Sequence, residues 1–183
     1  MLAAAREVFR ERGLAAQMDD VAARAGLGVG TLYRHFPTKE TLLDVIVRER
    51  HRLILDEAHA ALRAADPWHG FESFVWRLAE MEAADRAIAD VLVDAQGRID
   101  PTPFYAELSK AVHSLTRRAQ AAGAMRKDVS AEDALLAVCT IGKAQPPAAP
   151  PPAARHHAGD GTWRRLVRII LDGLRPPPPS ASP

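Results

Sequence analysis

Residues 15–43, AAQMDDVAARAGLGVGTLYRHFPTKETLL, constrain the fold more than any other part of this 183-residue chain. Gly26 follows the apolar and alanine run Val21, Ala22, Ala25, where a glycine takes the left-handed conformation that closes a helix, so a first helix ends at Ala25. Leu27 must then tuck between two helices if the turn is tight. Gly28 serves as a permissive cap, and Val29 to His35 gives a second helix of about two turns. Pro37 disfavours helical geometry at Phe36, and Thr38 is a capping residue for a fresh helix. Two short helices joined through a glycine and followed by a new helix start make a helix-turn-helix.

Such a unit suits DNA for dimensional reasons: one α-helix fits the major groove, and its first turns bring side chains to base edges. The helix over 29–35 is the candidate reader. Leu32 and Phe36 serve the core, which leaves Thr31, Tyr33, Arg34 and His35 to supply hydroxyl, phenol, guanidinium and imidazole groups outward. Gly30 removes a side chain and lets the backbone come close to a phosphate or base. Lys39, in the first turn after the Thr38 cap, lies beside free amides and the positive end of a helix dipole, which suit a phosphate.

At these residues the chain resembles a known family. The runs LAAAREVFRERG, DDVAARAG and GTLYRHFPTKETLL, within residues 2–47, resemble the N-terminal DNA-binding domain of the tetracycline-repressor (TetR) family of bacterial regulators. The resemblance implies an all-α protein with a three-helix DNA-binding unit, followed by a helical domain for ligand binding and dimerisation. It places phosphate and groove contacts at Thr31, Tyr33, His35 and Lys39, and variable reading positions at Val29 and Arg34. Three departures stand out. Gln17 replaces the usual capping threonine, at a cost of about 1 kcal/mol of helix-start stabilisation, and is free to reach DNA instead. Gly28 replaces a common serine, so specificity rests on Arg34, Thr31, apolar contact to thymine methyls and DNA shape. Met1 falls almost at the first core residue, where the resembled family usually has a basic arm ahead of it.

Helical periodicity organises the rest. Residues 2–12 form a first helix with Gly13 as terminator. A long helix runs from Thr38 to about Ala65 and links the reading unit mechanically to a second domain. Asp66 caps and Pro67 opens a helix whose stripe holds Trp68, Phe71, Phe74, Val75, Leu78 and Met81, while Trp76 falls off the stripe and must meet a partner or cover a second surface. A short helix is expected over 86–98, and another from Pro103 to Ala122, with His113 and Arg117 away from its apolar face and Gly123 as its stop. Ser130 with Asp133 is a near capping box for a helix over 131–143. QPPAAPPPAARHHAGDG is a proline-rich connector over 145–161, and the last helix spans 162–174. The expected division is a DNA-binding domain over 1–50, a ligand-binding and dimerisation domain over 51–175 and a structureless tail over 176–183.

Stripes of this period are ordinarily core. The sharper expectation is that Phe71, Phe74, Val75, Leu78, Tyr105, His113 and Arg117 line a cavity for an unknown small-molecule effector of apolar or aromatic character. One recognition helix reads only a few base pairs, so useful affinity needs two copies. In the resembled family the last two helices of each subunit form a four-helix bundle, which implies a homodimer through Leu135, Val138, Gly142, Trp163, Leu166 and Ile170.

Composition narrows the classes. The net charge is +1, and residues 1–52 hold nine basic against seven acidic residues. DNA contact must therefore come from placement rather than bulk charge. One cysteine, Cys139, on an apolar face, excludes an internal disulfide framework and fits a reducing cytoplasm; no apolar run of about 18 residues provides a membrane span. His156, His157 and Asp160 lack the further spaced ligands a metal needs. The Gly26, Gly28, Gly30 pattern has no preceding strand and is no nucleotide loop. No cofactor or catalytic constellation is expected. The reading is a repressor released from a double-stranded DNA operator by a small molecule; the competing one is a helical small-molecule-binding or enzymatic domain without sequence-specific DNA binding.

Overall fold

A computed structural model describes residues 1–85, 91, 99–143 and 161–177. Among these residues there are helices and no strand: α1 (Leu2–Arg12), a 3-10 turn (Gly13–Ala15), α2 (Met18–Arg24), α3 (Val29–His35), α4 (Lys39–Leu62), α5 (Pro67–Asp85), α6 (Thr102–Ala121), α7 (Ala131–Lys143) and α8 (Gly161–Leu174). The all-α expectation holds, and α3 has the expected bounds. The expected helix over 86–98, the 145–161 connector with His156, His157 and Asp160, and residues 178–183 of the tail lie outside the described residues, except for Val91 and the start of α8 at Gly161. The chain divides into two compact units, one of residues 1–53 with 84–104, the other of residues 54–83 with 105 onward.

The first unit closes around Ala5, Val8 and Phe9 of α1, Val21 and Ala22 of α2, Leu32 of α3, and Leu42, Ile46 and Val47 of α4, with Val91 and Ile99 joining from the later segment. Each large side chain of this set contributes about 1.5–3 kcal/mol by leaving water. Ion pairs tie the outer edges of α1 and α2. Arg24 reaches Glu7 at 3.1 Å and Glu11 at 2.6 Å, and Arg12 reaches Asp20 at 2.6 Å. Hydrogen bonding to Arg24 holds the Glu11 carboxyl below its ordinary range. The exposure of these pairs makes them guides to helix placement rather than large stabilisers.

In the second unit, Asp66 Oδ1 accepts from the N–H groups of Trp68 at 2.8 Å and His69 at 3.1 Å, the cap expected ahead of Pro67. α4 ends at Leu62, short of the expected Ala65. Arg118 of α6 donates to the carbonyls of Leu62 and, at 2.8 Å, Ala64, satisfying acceptors that the helix end leaves open. Gly70 lets α5 cross close to this end, since a Cβ there would stand 2.5 Å from the Ala61 carbonyl oxygen. α6 stops at a full glycine motif: Gly123 has φ +71°, Ala124 N donates to Ala119 O at 2.9 Å and Gly123 N to Gln120 O at 3.0 Å. Ser130 and Asp133 exchange side-chain and backbone hydrogen bonds at 2.8–3.0 Å, the expected cap of α7. Trp76, off the stripe, meets Trp163 of α8 edge-on with ring centroids 6.1 Å apart.

Candidate nucleic-acid interface

The turn that orients α3 is built by α2's end. Gly26 takes φ +66°, Leu27 N donates to Ala22 O at 2.9 Å and Gly26 N to Ala23 O at 3.1 Å. This pair of bonds satisfies the last carbonyls of α2 and reverses the chain. Leu27 is half-buried, and Leu32, one turn into α3, is fully buried at 0% exposure. α3 is therefore pinned along one side and open along the other. Phe36, half-buried against the same core, ends it in extended conformation at φ −131°, ψ 91° ahead of Pro37.

On the open side, Val29 is 40% and Tyr33 43% exposed, and Gly28, Gly30, Arg34 and His35 are exposed. Spacing of four on a helix pairs Val29 with Tyr33, Gly30 with Arg34 and Thr31 with His35 along neighbouring ridges. Thr31 is half-buried, its N–H donating to Gly28 O at 2.9 Å. α4 begins with a reciprocal cap in which Thr38 N donates to Thr41 Oγ1 and Thr41 N to Thr38 Oγ1, both at 3.2 Å. Lys39 follows, half-buried, its ammonium 5.7 Å from the centroid of the buried Phe9 ring. The ammonium of Lys39 thus stands close to an aromatic ring of the first unit's core.

Gln17 behaves differently from the other sequence-derived positions. It is exposed, but its side-chain amide donates to the Ala15 carbonyl at 3.0 Å, and the α2 start is secured by Asp20, whose Oδ2 accepts from Gln17 N at 3.0 Å. That backbone hydrogen bond is the main reason the Asp20 carboxyl sits below its ordinary range, with Arg12 adding to it. Asp20, an ordinary third residue in sequence, offsets the weak cap that Gln17 alone would give.

In the second unit the expected effector residues separate into two groups. Phe71, Phe74, Val75 and Leu78 are buried, at 0–6% exposure. Tyr105 is 47% exposed and Arg117 exposed. His113 is half-buried, with Nε2 3.5 Å from Glu132 Oε1. Two polar groups stand outside the expected effector set: the indole Nε1 of Trp68, a residue of the stripe itself, and Oγ1 of Thr116 are buried with no hydrogen-bonding partner among the described residues. Thr116 follows Leu115 on the inner face of α6, and its place four residues after Val112 was the available signal.

Of the expected dimer residues, Trp163 is buried against Trp76 in its own subunit, and Leu135, Leu166 and Ile170 are half-buried. The side chains of Val138, Cys139 and Gly142 lie outside the described residues. Among the described residues, the large apolar side chains turned outward on α7 and α8 are Leu136, 66% exposed, and Ile169, 61% exposed. Among the described residues no group of three or more metal-ligating side chains gathers, and no helix is long and apolar enough to cross a membrane.

Comparison with known proteins places this geometry. Residues 1–46 match the model of bacterial regulatory proteins of the TetR family, and residues 66–176 match the C-terminal domain of SbtR-like transcriptional regulators. A TetR transcriptional regulator from Streptomyces coelicolor superposes with a TM-score of 0.70 at 30% identity, over 97% of each chain. One from Mycobacterium vanbaalenii does so with 0.69 at 30% identity, over 96% of this chain and 92% of that one. The HTH-type transcriptional repressor KstR of Mycolicibacterium smegmatis is 32% identical over 123 residues, 62% of this chain and 57% of the repressor. The matched stretch thus spans little more than half of that relative's length. With its reading unit and its second domain both matched, the chain belongs to the TetR family of bacterial regulatory proteins.

Proposed function

We propose that this protein is a homodimeric transcriptional repressor that binds a double-stranded DNA operator through α3 and leaves it when a small molecule enters the second unit. The observation that carries the reading is the two-sidedness of α3: Leu32 fully buried, and Val29, Tyr33, Arg34 and His35 turned outward on a helix of groove-fitting size. Thr31 and Lys39 flank that surface as backbone contacts. Gln17, tied to Ala15, has a smaller part in it.

A second copy is recruited through α7 and α8, with Leu136 and Ile169 at the centre of the contact; they take the place of Trp163, which is already covered within its own chain. Two reading helices then meet successive major grooves about 34–36 Å apart. The effector is largely apolar, held by Phe71, Phe74, Val75 and Leu78, with one polar group answered by Trp68 Nε1 or Thr116 Oγ1. Such a ligand acts by favouring the dimer geometry in which the reading helices no longer match the grooves.

A titration against DNA flanking its own gene, repeated over a range of salt concentrations, tests the regulator reading. Lys39→Ala should weaken binding to all duplexes alike and reduce the salt slope by about 1. Arg34→Ala should instead blur preference at one base position. Absence of any sequence preference in the wild-type protein would favour the competing reading of a helical binding or enzymatic domain.

A further inference from the structure

The outward face of α3 omits side chains that the protein's own fold would accommodate. Glycine inside a helix is less favourable than alanine by about 1 kcal/mol. Gly30 has no conformational reason to be glycine: the positive-φ glycines among the described residues are Gly13, Gly26 and Gly123. It has no packing reason either, since a Cβ at that position would meet nothing within 4 Å. Gly28, at φ −65° and ψ 138°, is in a conformation open to any residue. An added Cβ there would only touch Thr31 Oγ1, at an ordinary 4.0 Å. Between the two glycines stands Val29, 40% exposed.

The result is a stretch of low relief over residues 28–30 in which the two valine methyls stand alone between glycines. A helix that gives up stability to lower its relief is shaped for something outside it. In the major groove the apolar mark on a base edge is the thymine 5-methyl. α3 has no carboxamide to pair with adenine and no carboxylate to accept from cytosine. Long helical side chains lean toward the start of their helix, so Gly30, one turn before Arg34, leaves that path clear for the guanidinium.

We propose that Val29 reads the 5-methyl group of one thymine in each half-site, and that Gly28 and Gly30 admit the base edge to van der Waals distance of it. This rests on the regulator reading above and adds to it a base-level specificity.

The test starts from duplexes that the wild-type protein selects from a random-sequence library. Each thymine is replaced in turn by deoxyuridine, which removes only the methyl group. At one position per half-site the wild-type protein should lose about fourfold in affinity, the value of one buried methyl-sized group. Val29→Ala should bind the thymine and deoxyuridine duplexes equally, so that the two changes are coupled rather than additive. Gly30→Ala should melt at a higher temperature than the wild-type protein and yet bind the selected duplex several-fold more weakly.

Uniform tolerance of deoxyuridine, or a penalty that survives in Val29→Ala, overturns the methyl reading. A Gly30→Ala protein that gains both stability and affinity overturns the close approach. Should selection recover no preferred sequence, the regulator reading itself fails and takes this inference with it. Val29 is exposed, so its variant should melt like the wild-type protein, and the wild-type deoxyuridine scan stands without any variant.

Discussion

The outward face of α3 and the interior of the second unit each hold groups that leave the free chain less stable than it could be, and they do so in opposite directions. α3 omits side chains where they would cost nothing, at Gly28 and Gly30. The second unit keeps polar atoms where apolar ones would be cheaper, at Trp68 Nε1 and Thr116 Oγ1. A buried polar atom with no partner costs about 1–3 kcal/mol. The contrast teaches where each partner comes from. Relief removed from a surface fits a partner that approaches from outside, and hydrogen-bonding capacity stored in a core fits one that enters it.

The comparison breaks first at Leu32. Fully buried, this side chain fixes which side of α3 faces out, and Leu32→Ala should cost about 2–5 kcal/mol by lost transfer energy and cavity. Denaturant unfolding followed by circular dichroism measures it. A cost below about 1 kcal/mol would mean that α3 is not held against the core as described. Operator binding should fall with it even where the protein remains folded, because the outward set loses its common orientation.

Thr116→Val sharpens the other half. Valine keeps the shape and removes the hydroxyl, so the ligand-free protein should gain about 1 kcal/mol, read as a raised melting temperature. The same variant should respond less to effector in an operator-release assay. Loss of stability instead would show that the hydroxyl has a partner, and the contrast with α3 would lapse.

The smallest effect concerns a polar ring inside the first unit. His51 stacks on Phe104 with ring centroids 3.9 Å apart and planes at 5°. Burial first, then the nearby charges of Arg50 and Arg48, lower its pKa from 6.5. With the folded value below the unfolded one, folding favours the neutral ring. The stability is therefore complete above pH 6.5 and is lost as pH falls through the folded value. His51→Gln should flatten that part of the pH–stability curve, measured by thermal melts in steps of pH.

Much of this was legible because local chemistry marks helix ends. Gly26, Asp66 ahead of Pro67, Gly123, and Ser130 with Asp133 each announce a boundary through one or two residues, and each boundary is found there. The end of α4 was not legible. The carbonyls of Leu62 and Ala64 are taken by Arg118, 56 and 54 residues away, and no residue near 62 signals it. Faces behaved likewise. A stripe identifies the apolar side of a helix but not which of its edges the chain covers with itself. Trp163 is therefore spent on Trp76, while Leu136 and Ile169 stay outward. At α3 the sequence placed Tyr33, Arg34 and His35 outward, where they are exposed, because a seven-residue helix with one buried leucine leaves few alternatives, whereas Thr31, expected with them, is half-buried.

The closing of the first unit by Val91 and Ile99 has a practical consequence. The backbone passes between the two units after residues 53, 83 and 104. A fragment cut after residue 53 would therefore carry the whole outward face of α3 and still lack two plugs of its own interior. The reading head is not a detachable module. Transplanting it onto another protein requires Val91 and Ile99 to travel along.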